Sequence, residues 1–571
     1  MDNTQGAYIW KTFDVLRGSM EQSRAYMAFI AACYSKRVLG DDIRSELAMS
    51  LLDKRIANKR ILHFIVNHLF VSSGGEKMLD IVTLLNLLPE DVSELDSLIL
   101  DTNLEVEMSN AKNGYWSTPS SLTNLAIEIL DIKPSETVAD FGTGTGSFLV
   151  RVASGKLGKK LYGYDINTDM SAIAMIRADV LGDTVSIEQA DMFHVEGEFD
   201  KCFSNYPFGM NDSRFKEEKR LELEQAGITK IPRFHSSDWL FSMQILSKIK
   251  PKGKAIGIMT SGSSFNSADA KIREYFIGKG WIEAVVALPA GLFSPYTGIS
   301  TNMIVLSQGN ETIRMVDATD IYQRGRRVCY FNSTDIERII GLLAHDEKSF
   351  SHLVTYEELV AGGFNLDPTR YTAERVKVKN GIPLSDVALD VTRGSGITSN
   401  QLEKLNSKVP TDFRYLMLQN IIDGCIEPDL PYLTKIDSSL KKYCVKSGDL
   451  VLSKIGPNFK VAVADVPDYE SVLATGNLYI LRLDRNKVDP LFIKAYLETE
   501  EGLSQLRREC VGTTMQSLPI KAFSEIEIPL IPMEEQYKIA SRYRLLQQEI
   551  DAHKFAIEKA KRKMASILDE R

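Results

Sequence analysis

The sequence predicts an α/β protein assembled in series: a helical N-terminal domain, a doubly wound sheet, and an α/β C-terminal domain with a long final helix. Three observations carry this expectation. Between residues 137 and 209, four apolar runs end in an acid or in asparagine, with helical periodicity between them. Before residue 110 the apolar residues recur at helical spacing. After Ile382, short β-rich runs separated by turn residues take over, followed by a proline-free charged stretch from Tyr537 to Leu568. A chain of 571 residues is too long for one ordinary core. The expected boundaries are 1–109, 110–375, 376–532 and 533–571.

Composition narrows the class. A 44% hydrophobic and 25% charged sequence is that of a soluble globular protein. No apolar run approaches the roughly 20 residues that cross a bilayer. The opening Met1-Asp-Asn-Thr-Gln lacks a basic segment followed by an apolar one, so a cytoplasmic location is expected. The six cysteines form no Cys-x-x-Cys, and the seven histidines show no ligand spacing. Neither a disulfide scaffold nor a metal site is expected. A net charge of -8 does not exclude nucleic acid, because phosphate binding depends on local patches. Arg324-Gly-Arg-Arg327 is one basic cluster; Lys435, Lys441, Lys442, Lys446, Lys454 and Lys460 form another. A solvated face is the plainer reading of either.

In chain order, Trp10, Phe13 and Leu16 and then Tyr26–Ala32 read as core-facing helix positions, and residues 78–105 as further helix. Ser72-Ser-Gly-Gly-Glu76 reads as a loop and Asn110–Gly114 as a boundary. No spacing of acids and lysine in this part marks a nuclease. Thr137-Val-Ala then reads as a buried strand closed by Asp140. Gly142, Gly144 and Gly146 allow a sharp turn and close approach to a ligand. Phe148, Leu149 and Val152 resume at helical spacing. The turn alone fits a dinucleotide fold, a methyl-donor fold or an ordinary tight turn. Lys160–Asp165 is a second strand ending in an acid, Val185–Asp191 a third, and Phe199–Phe203 a fourth that runs into Ser204-Asn-Tyr-Pro-Phe-Gly209.

Asp212–Pro232 reads either as an exposed helix or as a loop near DNA, and Asp238–Leu246 as a buried helix. Pro251-Lys-Gly253 reads as a turn before the strand Ala255–Met259; Ile282–Leu288 and Thr301–Leu306 continue the sheet. The pattern decays between 310 and 380. The β-rich runs beyond it are Leu384–Leu389, Tyr443–Leu452, Asn477–Arg482, Cys510–Pro519 and Ile526–Gln536. Tyr537–Leu568 carries Ile539, Tyr543, Leu546, Ile550, Phe555, Ile557 and Ile567 on a charged background, as a packing or coiled-coil arm would.

Residues from about 110 to 310 resemble the catalytic domain of adenine-N6 DNA methyltransferases, closest to the modification subunit of type I restriction–modification systems. Asp140-Phe-Gly-Thr-Gly-Thr-Gly-Ser-Phe-Leu resembles that family's S-adenosylmethionine loop, Asn205-Tyr-Pro-Phe its Asn-Pro-Pro-Phe/Tyr motif, and Tyr115-Trp-Ser-Thr-Pro119 its Tyr/Phe-Thr-Pro element. Residues 382–571 resemble half of a type I specificity subunit: one target-recognition domain and one long helix.

The resemblance implies the following roles. Asp140, Gly142, Thr143, Gly144, Gly146, Ser147 and Phe148 hold the donor's methionine moiety, closed off by Thr118 and Pro119. Asp165 with Ile166 meets the ribose, and Asp191 with Met192 or Phe193 meets the donor adenine. The Asn205 side-chain oxygen and the carbonyl of Tyr206 accept from the target amine, Pro207 fixes the turn, and Phe208 stacks on an extruded base. Tyr206 departs from the family's proline. It keeps the carbonyl, but loses a φ restraint and adds bulk, so Tyr206→Pro is expected to preserve or raise the rate.

The implied cofactor is S-adenosylmethionine, without a metal. The implied partners are double-stranded DNA and, through the long helix, a second copy or a restriction or specificity subunit. A DNA-binding subunit with weak or no methylation of its own is the alternative. A protein-glutamine or RNA methyltransferase is a third reading, which the recognition-like half opposes.

Overall fold

The computed structural model describes residues 22–44, 47–70, 81–102, 117–294, 297–325, 328–372, 378–456, 459–510 and 517–565. Trp10, Phe13 and Leu16, the loop at Ser72–Glu76, the boundary at Asn110–Gly114, Tyr115, Trp116, Arg326, Arg327 and most of Cys510–Pro519 lie outside them. The chain divides into two compact units, Met1–Thr372 and Ala373–Arg571.

In the first unit, helices α1 (Gln22–Leu39) and α2 (Val92–Leu100) precede α3 (Ser120–Leu130). Phe29, Ile30 and Leu98 share one core with Ile173 and Ile176 of α5 (Thr168–Leu181). The helical segment is thus packed directly on a helix of the sheet domain.

Nine strands form one sheet: β1 (Thr137–Phe141), β2 (Lys160–Asp165), β3 (Val185–Gln189), β4 (Phe199–Asn205), β5 (Ile249–Thr260), β6 (Ile282–Ala287), β7 (Thr301–Leu306), β8 (Ile313–Asp317) and β9 (Ser351–Val354). Their order is β9-β8-β6-β7-β5-β4-β1-β2-β3. β1 pairs parallel with both β2 and β4, so the order reverses there and opens a crevice at the carboxyl ends of these strands. β7 runs antiparallel between β5 and β6. All six of its residues are buried, which is why it reads as an unbroken apolar run. The glycine turn leads from β1 into α4 (Ser147–Ser154).

Three expectations need correction. β5 continues through Pro251-Lys-Gly253, where a turn was expected, because an irregularity opposite Phe199 and Lys201 absorbs the extra length. Beyond residue 310 the sheet does not decay: β8 and β9 extend it, two short strands separated by a helix at Ser333–Ala344. The charged stretch after the Asn-Tyr-Pro-Phe segment forms α6 (Ser213–Gln225), capped by the Asp212 carboxylate accepting from the Arg214 and Phe215 N–H groups. It is not fully exposed, since Lys216 and Lys219 are buried on its inner side. The helix α7 (Ser237–Leu246), by contrast, is buried at every position, as its composition implied.

The second unit holds a four-stranded antiparallel sheet and a five-stranded mixed sheet. Leu450 and Leu481 of the first sheet belong to a core shared with Phe492 and Ile493 of α8 (Pro490–Leu497). The long helix α9 spans Met533–Ala565. Its first turns are fixed by the fully buried Gln536. That side chain accepts from the Asp489 N–H and donates to the carbonyls of Lys487 and Ile531. Lys494 on α8 lies over the ring of Tyr543, 4.4 Å from its centroid.

Candidate active site

A cavity of about 340 Å³ lies in the crevice beyond β1, β2 and β4. The glycine turn forms one wall. Gly142 has φ +74° and Gly144 φ +57°, left-handed values that suit glycine. The N–H groups of Gly142 and Thr143 donate to the Tyr164 carbonyl at 2.8 and 2.9 Å. The Gly144 N–H donates to Asp165 Oδ2 at 2.7 Å. The turn is therefore stapled to the end of β2. On the outer side of the turn the Arg177 guanidinium, 1% exposed, donates to the carbonyl and hydroxyl of Thr145, each at 3.0 Å. It also donates to the carbonyls of Ile99 and Asp101 and to the Tyr26 hydroxyl.

Two carboxylates face the cavity from this wall. Asp140 is buried, and its pKa is pushed up to about 7 by burial; the Thr143 hydroxyl, donating at 2.8 Å, opposes this and the Asp165 charge adds to it. Burial also raises Asp165, against the N–H groups of Asn167 and Gly144. Each Asp165 oxygen accepts one backbone N–H and retains a lone pair for a ligand hydroxyl. Asp191 Oδ1 caps the short turn Met192–His194 by accepting from the Phe193 N–H at 3.0 Å, while the residue lines the cavity.

Asn205 ends β4 at the opposite wall. Its Nδ2 donates to Thr118 Oγ1 at 3.0 Å, which sets the amide's orientation, and its Oδ1 is buried without a partner. A buried acceptor left open is costly, so it is a place where a ligand N–H or O–H fits.

The structure brings together Thr118, Asp140, Gly142, Thr143, Gly144, Ser147, Phe148, Asp165, Ile166, Asp191, Met192, Asn205, Tyr206 and Pro207 around the cavity. Pro119, Gly146 and Phe208 do not line it. Pro119 stands at the N-terminus of α3. Gly146 packs α4 on α5, since a Cβ there would stand 3.3 Å from that of Ala174. Phe208 packs edge-on against Phe293, ring centroids 5.2 Å apart. Among the lining residues that sequence reasoning missed are Met210, Phe215 and Phe241. Phe215 is the one aromatic residue within a strongly charged stretch and packs edge-on to Phe193 at 5.5 Å, the only signal that could have singled it out. Among the described residues no group of His, Cys, Asp and Glu is arranged to hold a metal ion.

Residues 99–379 match the N-6 DNA Methylase family, and residues 431–563 match the Type I restriction modification DNA specificity domain. The chain thus carries, in series, a match to N-6 DNA methylases and a match to type I specificity domains. The Type I restriction enzyme MjaIX methylase subunit of Methanocaldococcus jannaschii is 22% identical over 337 residues, 53% of this chain and 59% of the relative. The MjaVII methylase subunit of the same organism is 26% identical over 290 residues, 46% and 49% of the two chains. The chain thus spans between half and three fifths of the length of these curated relatives. A crystal structure of the type I restriction-modification system methyltransferase subunit from Streptococcus thermophilus superposes with a TM-score of 0.49 at 18% identity, covering 66% of this chain and all of that one.

In the specificity domain the lysine cluster separates by role. Lys460 Nζ is spent on the carbonyls of Leu418 and Ile421, and Lys435 pairs with Asp437 at 3.2 Å. Lys454 is different: partial burial and then the charge of Arg393 hold its pKa below the usual lysine range. Two cations facing each other would both gain from an anion between them.

Proposed function

We propose that this chain transfers the methyl group of S-adenosylmethionine to the N6 amine of adenine in double-stranded DNA, at sites selected by its specificity domain. The observation that carries this reading is the unpartnered Asn205 Oδ1. It lies in the same cavity as the stapled glycine turn and Asp165, within a domain of the N-6 DNA methylase family.

When bound, S-adenosylmethionine supplies an electrophilic methyl. The cavity fits such a donor: Gly142 and Gly144 let the backbone approach its methionine end, Asp165 has lone pairs for ribose hydroxyls, and Asp191 borders the space beside Met192 and Phe193. The target amine is a poor nucleophile because its lone pair is delocalised into the ring. Asn205 Oδ1, accepting one of its hydrogens, favours the tetrahedral nitrogen of the transition state. The base leaves the duplex to reach this wall, since the amine is inaccessible inside the stack. Phe208 then has to leave Phe293, or one of the cavity's own aromatic rings takes over the stacking.

Recognition is assigned to the second unit, with Arg393 and Lys454 as phosphate contacts. Assembly is assigned to α9. Ile539, Leu546, Ile550, Ile557 and Met564 stand 42–72% exposed at intervals of seven and four residues, a coiled-coil seam. A second copy of the chain, or a partner subunit, covers that seam.

Incubation with methyl-labelled donor and duplex DNA, followed by mapping of the modified bases, tests the reading. Label at N6 of adenine within one recurring sequence is the expected result. Donor and DNA binding without transfer would leave the chain a DNA-binding subunit.

A further inference from the structure

We infer that the Tyr206 side chain, together with Gly257 and Ser242, is the device that holds Asn205 in place, and that proline cannot do the same work in this chain. Tyr206 is a positioning residue here, acting through Asn205; this rests on the methylation reading.

Tyr206 precedes Pro207, and a residue before proline is biased to extended backbone. It therefore continues β4 by one step: its N–H donates to the Ile258 carbonyl at 3.2 Å, directly after the paired residues Asn205 and Ile258. Proline has no N–H to donate. The ring turns away from the crevice into the core, 1% exposed, and stacks on Phe241 with centroids 5.5 Å apart. Its hydroxyl is 3.0 Å from Ser242 Oγ. Because the Ser242 hydroxyl donates to the Asp238 carbonyl at 2.8 Å, Tyr206 is the donor to Ser242. Burial pushes the phenol pKa up, so that proton stays in place. The space for the ring exists because residue 257 on β5 is glycine: a Cβ there would overlap the Tyr206 hydroxyl. The bulk expected from sequence to intrude on the pocket is thus housed behind it, and Asn205 is clamped between the β5 ladder and a buried ring.

The expectation that Tyr206→Pro preserves or raises the rate is accordingly reversed. A double-mutant cycle on the full chain tests this, with kcat, KM for DNA, donor affinity by calorimetry, and hydrogen exchange of the peptide spanning residues 199–210. Tyr206→Pro and Gly257→Ala should each lower kcat tenfold or more and speed exchange, with donor affinity unchanged. Gly257→Ala added to Tyr206→Ala should cost less than twofold further, because the added methyl then meets no ring. Tyr206→Phe, which keeps the ring and the N–H but loses the bond to Ser242, should fall between the wild type and Tyr206→Ala in both kcat and exchange. Wild-type kcat and exchange in Tyr206→Pro, or effects of the two positions that simply multiply, would overturn the lock. A wild-type chain that transfers no methyl would instead overturn the methylation reading, and the exchange measurements alone would then decide on the lock.

Discussion

Asn205 and Asp165 divide the proposed chemistry, so their substitutions should fail in different ways. Asn205→Ala removes the open acceptor, leaves the Thr118 hydroxyl without its donor, and touches nothing on the glycine wall. It should lower single-turnover methyl transfer by roughly 10²–10³, as loss of one preorganised transition-state contact does, while calorimetry shows donor affinity unchanged. Asp165→Ala removes the partner of the Gly144 N–H and the lone pairs offered to the ribose. Donor affinity should fall about tenfold to a hundredfold, the scale of a charged hydrogen bond. Residue type and spacing made both positions legible, because an acid at one strand end and asparagine two residues before proline at another are rare together. Side-chain direction was not legible. Nothing in the sequence shows that Tyr206 points into the core, or that Phe208 rests on Phe293, since both depend on which residues face them from β5 and from the turn Gly291–Ser294.

At the scale of elements, the glycine turn carries a pH signature. Asp140 has a folded pKa near 7, above its unfolded value of about 4. Between those values the folded protein holds a proton that the unfolded chain has released. Stability should fall as pH rises through that window, by at most about 1.4 kcal/mol per pH unit, and level off above 7. Denaturant melts at pH 5 and pH 7.5 should show a smaller difference for Asp140→Asn than for the wild type. In the specificity domain, Lys454→Ala should weaken binding to all duplex sequences alike and reduce the slope of log K against log salt by about 1. β1 to β4 were legible because each is an apolar run closed by a polar residue. β9 was missed because it is four residues long and lies at the sheet's edge, and the Pro251 turn was misassigned because an irregular ladder tolerates proline where a regular one does not.

For the whole molecule, the exposed seam of α9 is where the proposed assembly can be tested with two side chains. Leu546→Glu with Ile550→Glu should lower the sedimenting mass of any complex at micromolar concentration and leave donor binding intact. Sequencing of modified sites then distinguishes a second copy, which gives inverted half-sites, from a single unit, which leaves asymmetric marks. A different dependence runs through Arg177. One guanidinium ties Thr145, in the glycine turn, to Ile99, Asp101 and Tyr26 in the helical segment. The first hundred residues are therefore not a detachable accessory. Cutting away everything before residue 102 strips Arg177 of the Ile99, Asp101 and Tyr26 acceptors, and a buried cation so exposed would seek water by swinging outward, releasing the glycine turn. Anyone grafting this catalytic sheet onto another recognition module should carry the helices with it, as a lens is moved together with its mount.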